Sequence, residues 1–257
     1  MLHNLKDIEA LAIHSTDGNI GQTKDFYFDD KKWVIRYLVV ETGSWFSSKK
    51  VLLSPMSIRR LNFMENALET SITREQVRHS PDIDTHKPVS RQFEVNYLGY
   101  YGYPFYWGGR SLWGTYTSPY AINPGNQRDV PDIFADDDAM RYRDQDHHLR
   151  SSSEVIGYPI AAKDGEIGHL QGMLIDPDTL AIRYLIINTS NWWLGNLVLI
   201  APQWIDDVSW VNTKIYVGMT QKQIKGAPLF DPSVPFTRQR EDDIHQHYGR
   251  KGYWERD

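Results

Sequence analysis

The sequence predicts a mostly β protein built as two small β-barrels, each followed by a short helix and an aromatic C-terminal segment. Three observations carry this: a long internal repeat, short β-branched runs separated by turn signals, and a helix-capping signature after each set of runs. The repeat comes first. Arg36-Tyr37-Leu38 recurs as Arg183-Tyr184-Leu185, Asp17-Gly18 as Asp164-Gly165, Ile20-Gly21 as Ile167-Gly168 and Val51-Leu52 as Val198-Leu199, every pair separated by 147 positions (183 minus 36). Without a gap, residues 7–58 and 154–205 share 16 identities in 52 positions, where composition alone gives about three. The register continues through Thr73, Gln76 and Pro81 (Thr220, Gln223, Pro228), through Asp84, Pro88, Arg91-Gln92 and Glu94 (Asp231, Pro235, Arg238-Gln239, Glu241), and into the tails. There Tyr101-Gly102 and Tyr106-Trp107 match Tyr248-Gly249 and Tyr253-Trp254. The units are therefore read as 1–110 and 150–257. Residues 111–149, rich in Gly, Pro, Asn and acids, are read as an acidic linker that Trp113, Tyr116, Tyr120, Ile122, Ile133 and Phe134 can pack against a module.

Within the first unit, Ala10 to Ser15 precedes the turn Asp17-Gly18-Asn19, so a hairpin is expected with the stretch that follows. A second turn at Asp29-Asp30-Lys31-Lys32 leads into Trp33 to Val40, an apolar, β-branched run read as a central buried strand. Lys50 to Ser54 and Ser57 to Phe63 give shorter strands, with Pro55 placed where no ladder N–H is needed. The second unit repeats the pattern with Tyr158 to Ala162, Glu166 to Ile175, Ala181 to Asn188, Leu197 to Ala201 and Ile205 to Trp210. Thr73 with Gln76, and Thr220 with Gln223, have capping-box spacing before Pro81 and Pro228, which predicts one short helix per unit.

Composition narrows the function classes. A net charge of −5 argues against a nucleic-acid partner. There are no cysteines, which excludes disulfides, thiolate metal sites and a Cys nucleophile and fits a cytoplasmic location. No run approaches the roughly 20 apolar residues of a membrane span, and Met1 to Asp7 lacks signal-peptide character, so a soluble chain is expected.

The ordered set Asp17-Gly18-x-Ile20-Gly21, Arg36-Tyr37-Leu38-Val39-Val40, Thr42-Gly43-Ser44-Trp45 and Val51-Leu52-Leu53-Ser54-Pro55, seen twice, resembles the PRC-barrel family. That family includes the cytoplasmic barrel of the photosynthetic reaction-centre H subunit, the C-terminal domain of a ribosome maturation factor and stand-alone soluble bacterial proteins. The resemblance implies two PRC-like β-barrels that dock onto other macromolecules, without a shared chemistry.

Trp45-Phe46 and Trp192-Trp193 fall in loops between strands, where they suit a binding surface or the mouth of a barrel core. The tail segment holding Tyr103, Tyr106 and Trp107 is dense enough in aromatics for an interface, with structural docking the plainer reading. Arg36 and Arg183 interrupt apolar strands and need a carboxylate partner, Glu41 being near in the first unit, or an outward-facing position. The acidic turns Asp29-Asp30 and Asp176-Pro177-Asp178 lack a full Ca²⁺ loop and are explained by turn chemistry. His147-His148 and His245-x-His247 are read as solvated rather than as metal ligands, and no catalytic or cofactor motif appears. The sequence thus points to a non-enzymatic scaffold or adaptor with a protein partner, no cofactor and no metal. Self-association through exposed barrel edges and aromatic tails is a further expectation. Small-ligand or ion binding at an inter-barrel cleft and a role in RNA or ribosome assembly are the alternatives.

Overall fold

The computed structural model describes residues 1–83, 89–107, 109–122, 148–190 and 195–255. The chain opens with strand β1 (His3–Asn4) and a short helix α1 (Leu5–Glu9). Strands β2 (Ala12–Ser15), β3 (Gly18–Asp29), β4 (Val34–Thr42), β5 (Lys50–Leu53), β6 (Ile58–Asn62) and β7 (Ala67–Thr70) follow. Helices α2 (Arg74–Arg78) and α3 (Arg91–Tyr101) complete the first repeat. The second begins with β8 (Leu149–Ser151) and α4 (Ser152–Val155), then β9 (Pro159–Ala162), β10 (Gly165–Ile175), β11 (Ile182–Asn188), β12 (Leu197–Ile200), β13 (Ile205–Ser209) and β14 (Lys214–Val217). Helices α5 (Gln221–Lys225) and α6 (Arg238–Tyr248) end it.

The described residues form two seven-stranded sheets. In the first the hydrogen-bonded order is β5-β4-β3-β2-β7-β6, with β8 paired to β3, and in the second it is β12-β11-β10-β9-β14-β13, with β1 paired to β10. All pairings are antiparallel except β2 with β7 and β9 with β14. The protein is mostly β, as the sequence predicts, but neither sheet is a closed barrel: the end strands β5 and β6, like β12 and β13, make no ladder with each other. The end strands β5 and β6 are nonetheless joined by only Ser54 to Ser57, a 3-10 turn with Pro55 at its start. Five residue steps reach at most ~17 Å, so the sheet must curl to bring its ends together. A curled but open sheet results.

The chain divides into two compact units, one comprising Lys6–Ser153 with Pro177–Ala181, the other Met1–Leu5, Glu154–Asp176 and Ile182–Asp257. In the first unit the core centres on β3 and β4, where Phe26, Phe28, Tyr37 and Leu38 are at most 2% exposed. The β4 run is β-branched and aromatic over most of its length, which suits a strand buried on both faces. In the second unit Ile160, Leu170, Tyr184, Leu185 and Leu199 take the corresponding role. The repeated Ile-Gly pair has a steric reason. A Cβ at Gly21 would stand 2.0 Å from the Glu41 carbonyl oxygen, and one at Gly168 would stand 1.7 Å from that of Asn188, so only glycine permits β3 and β10 to approach their neighbours.

The predicted hairpin at Asp17-Gly18 is present, pairing Ser15 with Gly18. Both capping boxes are formed, with Thr73 accepting from Gln76 N and Thr220 from Gln223 N. Each repeat has more than the single helix expected, however. The aromatic segment after Pro81 includes α3, capped by Ser90 and ended by Gly102 in the left-handed conformation, and α6 occupies the same place in the second repeat. Tertiary packing explains this, because Tyr97 and Leu98 of α3 are buried against the sheet and its Tyr97 hydroxyl bonds the backbone of β5. Strands β7 and β14 are further additions to the expected set. Residues 111–122, read from the sequence as part of the linker, belong to the first of these units, with Trp113 1% and Ile122 3% exposed, while Ile133, Phe134 and the rest of 123–147 lie outside the described residues.

The sheet edges expected to be open to self-association are partly covered. Tyr97 Oη accepts from Ser54 N and donates to Leu52 O, both at 3.0 Å, and Phe230 N donates to Leu197 O at 2.8 Å. These bonds satisfy β5 and β12 backbone groups that another chain would otherwise pair with. Among the described residues no helix is long and apolar enough to cross a membrane.

Candidate functional site: buried polar networks and an aromatic loop

Strand β4 places Arg36 between Ile35 and Tyr37, where both neighbours are almost wholly buried. A guanidinium there requires partners for its charge and its N–H groups. Its Nη2 lies 3.0 Å from Asp29 Oδ2 and its Nη1 donates to Leu112 O at 2.7 Å. Its carbon sits 4.0 Å from the Tyr106 ring centre and 4.8 Å from that of Trp113, so two π faces add to the compensation. The carboxylate partner is Asp29 of the acidic turn rather than Glu41, which instead faces Lys24 at 3.4 Å. Burial tends to raise Asp29, but the charge and hydrogen bond of Arg36 and the N–H groups of Lys32 and Lys31 outweigh it and hold the carboxyl below its usual value.

A second network surrounds Glu94, on the buried face of α3. Glu94 Oε1 accepts from Tyr37 Oη at 3.2 Å and from Tyr106 Oη, while Oε2 accepts from Arg91 Nη1 at 3.0 Å. His148 Nε2 lies 2.9 Å from Tyr106 Oη and 3.5 Å from Glu94 Oε2. Burial drives the Glu94 carboxyl up to about 7, although Arg91, Tyr106, Tyr37 and Arg36 all act to lower it. His148, expected to be solvated, is 3% exposed because the polar groups around Glu94 replace its water.

The second repeat carries the same set 147 positions on. Tyr184 Oη bonds Glu241 Oε2 at 3.1 Å, Arg238 Nη1 lies 3.0 Å from Glu241 Oε1, and Arg183 pairs with Asp176 at 2.8 Å. Arg183 lies over Tyr253 and Arg238 over Trp254, each at 4.1 Å. Here the histidine comes from α6: His245 Nε2 is 2.9 Å from Tyr184 Oη and its Nδ1 2.9 Å from Lys251 O. His245 is likewise buried rather than solvated. Arg36, Asp29, Glu94 and Arg91 and their partners in the second repeat are all repeat identities, a signal that marks them as a unit even though their mutual contact is a tertiary fact.

The proposed binding residues separate into two groups. Tyr103 and Tyr106 are each 2% exposed. Tyr103 closes a row of rings that runs from Tyr37 through Tyr97 and Tyr101 at centroid separations of 5.3, 4.9 and 5.4 Å. Trp107 is half-buried beneath the Arg91 guanidinium at 4.0 Å. These three therefore belong to the packing of the tail against the sheet.

Trp45 and Phe46 lie instead in the loop after β4, partly buried, as Trp107 is, and stacked at 5.6 Å. Trp45 Nε1 donates to Ile20 O at 2.8 Å, which fixes the indole while leaving part of its surface in solvent. Arg74 and Arg78 approach its ring at 5.2 and 6.0 Å, and Lys49 Nζ lies 5.2 Å from the Phe46 ring. Ser47 and Ser48 follow with φ of 54° and 51°, two successive non-glycine residues in the left-handed region. Ser47 is the left-handed cap of the 3-10 turn Ser44–Phe46. Trp192 and Trp193 lie outside the described residues.

Among the described residues no group of three His, Asp or Glu side chains converges as a metal site would require. No family model matches the chain, and no curated protein matches it.

Proposed function

We propose that the chain is a non-enzymatic adaptor of tandem PRC-barrel type, which binds a protein partner through the Trp45-Phe46 loop of its first repeat. The observation that carries this reading is the partly exposed aromatic stack in a loop, anchored by the indole bond to Ile20 and bordered by Arg74, Arg78 and Lys49. Rigid aromatics supply contact area at low entropic cost, and adjoining cations favour a partner segment that carries carboxylates. The Arg–Asp and Arg–Glu–Tyr networks serve a different end in this reading: within each repeat they tie strands and helix together. The family resemblance rests on the duplicated sequence motifs, and the curled six-strand path with its repeat-equivalent helix pair is compatible with it.

The test is affinity capture from the native cell extract, with and without nuclease, using the intact chain, Phe46→Ala, Lys49→Glu and a distant exposed change, Met64→Ser. A stoichiometric protein retained by the intact chain and Met64→Ser but lost by the two loop variants is the expected result. Equal capture by all four, or none by the intact chain, overturns it. Loss of capture on nuclease treatment would transfer the loop to nucleic acid.

A further inference from the structure

Three segments lie in the unit formed mainly by the other repeat. Strand β1 pairs with β10, matching His3 with Ile175 and Asn4 with Leu174, while its repeat equivalent β8 pairs with β3, matching Tyr27 with Ser151 and Asp29 with Leu149. The turn Pro177–Ala181 belongs to the first unit. There, three successive carbonyls are held by side chains of residues 113–120: Pro177 O accepts from Tyr120 Oη at 2.8 Å, Asp178 O from Ser118 Oγ at 2.7 Å and Thr179 O from Trp113 Nε1 at 2.8 Å. Leu180 O accepts from Ile35 N at 2.9 Å.

The exchanged strands are not interchangeable. Asp25 receives Ser151 Oγ at 2.5 Å, Ser152 Oγ at 2.9 Å and Ser153 N at 3.0 Å. The position equivalent to Asp25 in the second sheet is Gly172, and those equivalent to the three serines are Asn4, Leu5 and Lys6. Placing β1 on β3 would set Leu5 where Asp25 has a hydroxyl donor, and placing β8 on β10 would leave the serines without their acceptor. Asp25 keeps the Phe26 N–H at 2.8 Å in either pairing, but each mispairing gives up the hydroxyl–carboxylate bonds of Ser151 and Ser152, so both are disfavoured.

We infer that each repeat is a specific partner surface for the other, carried by exchange of β1 and β8 and by the carbonyl clamp on Pro177–Thr179. The two repeats accordingly hold together without the peptide connection between them. To test this, a protease recognition sequence is inserted in the full chain between residues 123 and 147 and cut after folding. The fragments are expected to co-elute at the mass of the intact chain, 29.9 kDa, and to part only in denaturant. In the cut protein Asp25→Ala and the pair Ser118→Ala with Tyr120→Phe each weaken association about tenfold or more. Circular dichroism of the uncut variants monitors folding, and if Asp25→Ala does not fold the clamp pair carries the measurement. Separation of the fragments on cutting in native buffer overturns the inference, as does association indifferent to both sets of changes.

Discussion

Arg36 and Asp29 form a 3.0 Å ion pair that is almost wholly withdrawn from water, whereas their repeat equivalents Arg183 and Asp176, at 2.8 Å, keep about a fifth of each side chain exposed (19% and 18%). One sequence pattern thus stands in two dielectric environments. Removing one member of a buried pair leaves an uncompensated charge at a cost of about 3–5 kcal/mol, while a partner that keeps a fifth of its side chain in water recovers part of its loss there.

Asp29→Ala is therefore expected to destabilise by about 3–5 kcal/mol and Asp176→Ala by about 1–2 kcal/mol, read from urea unfolding at pH 7. Because Asp29 is held below its ordinary value, its contribution is complete above that value and fades as the pH falls through the depressed one. Equal losses in the two variants would contradict the difference in burial.

Glu94 acts with the opposite sign. Its folded-state value of about 7 exceeds the ordinary 4.5, so between these limits the folded chain holds a proton that the unfolded chain releases. Stability from this group is full below about pH 4.5 and is lost as the pH rises through about 7, the whole span being about 3 kcal/mol. Glu94→Gln keeps the shape and removes the titration. The difference in unfolding free energy between wild type and Glu94→Gln should change by about that amount between pH 4.5 and 8, and a flat difference would refute it.

The helix N-termini allow a matched comparison. Thr73 and Thr220 make the same capping box, and Asp17 and Asp164 accept from the next residue's backbone, Arg74 N at 2.8 Å and Gln221 N at 2.7 Å. Thr73→Ala and Thr220→Ala should each cost about 1 kcal/mol in thermal or urea unfolding. A much larger loss at one site would mean that its helix bears more of its unit's stability than the other.

The legibility of the site follows the same division. Trp45 and Phe46 were found from their place in a loop after a strand, a local signal. Helix α3 was hidden because Tyr97, Tyr100 and Tyr101 favour strands locally, and only packing of Tyr97 and Leu98 against the sheet selects the helix. His148 lies far in sequence from Glu94, so nothing local distinguishes it from a solvated histidine. Asp25 is no repeat identity, and its importance lies in the three serines more than a hundred residues away.

By itself the sequence determined the repeat, the mostly β class, the turns at Asp17-Gly18 and both capping boxes, because these depend on residues within a few positions of each other. Only the tertiary structure decided that the sheets stay open, that β1 and β8 are exchanged, and that Arg36 takes Asp29. These choices turn on which distant groups satisfy a buried charge or an unpaired strand edge, a competition settled by the free energy of the assembled fold rather than by local preference.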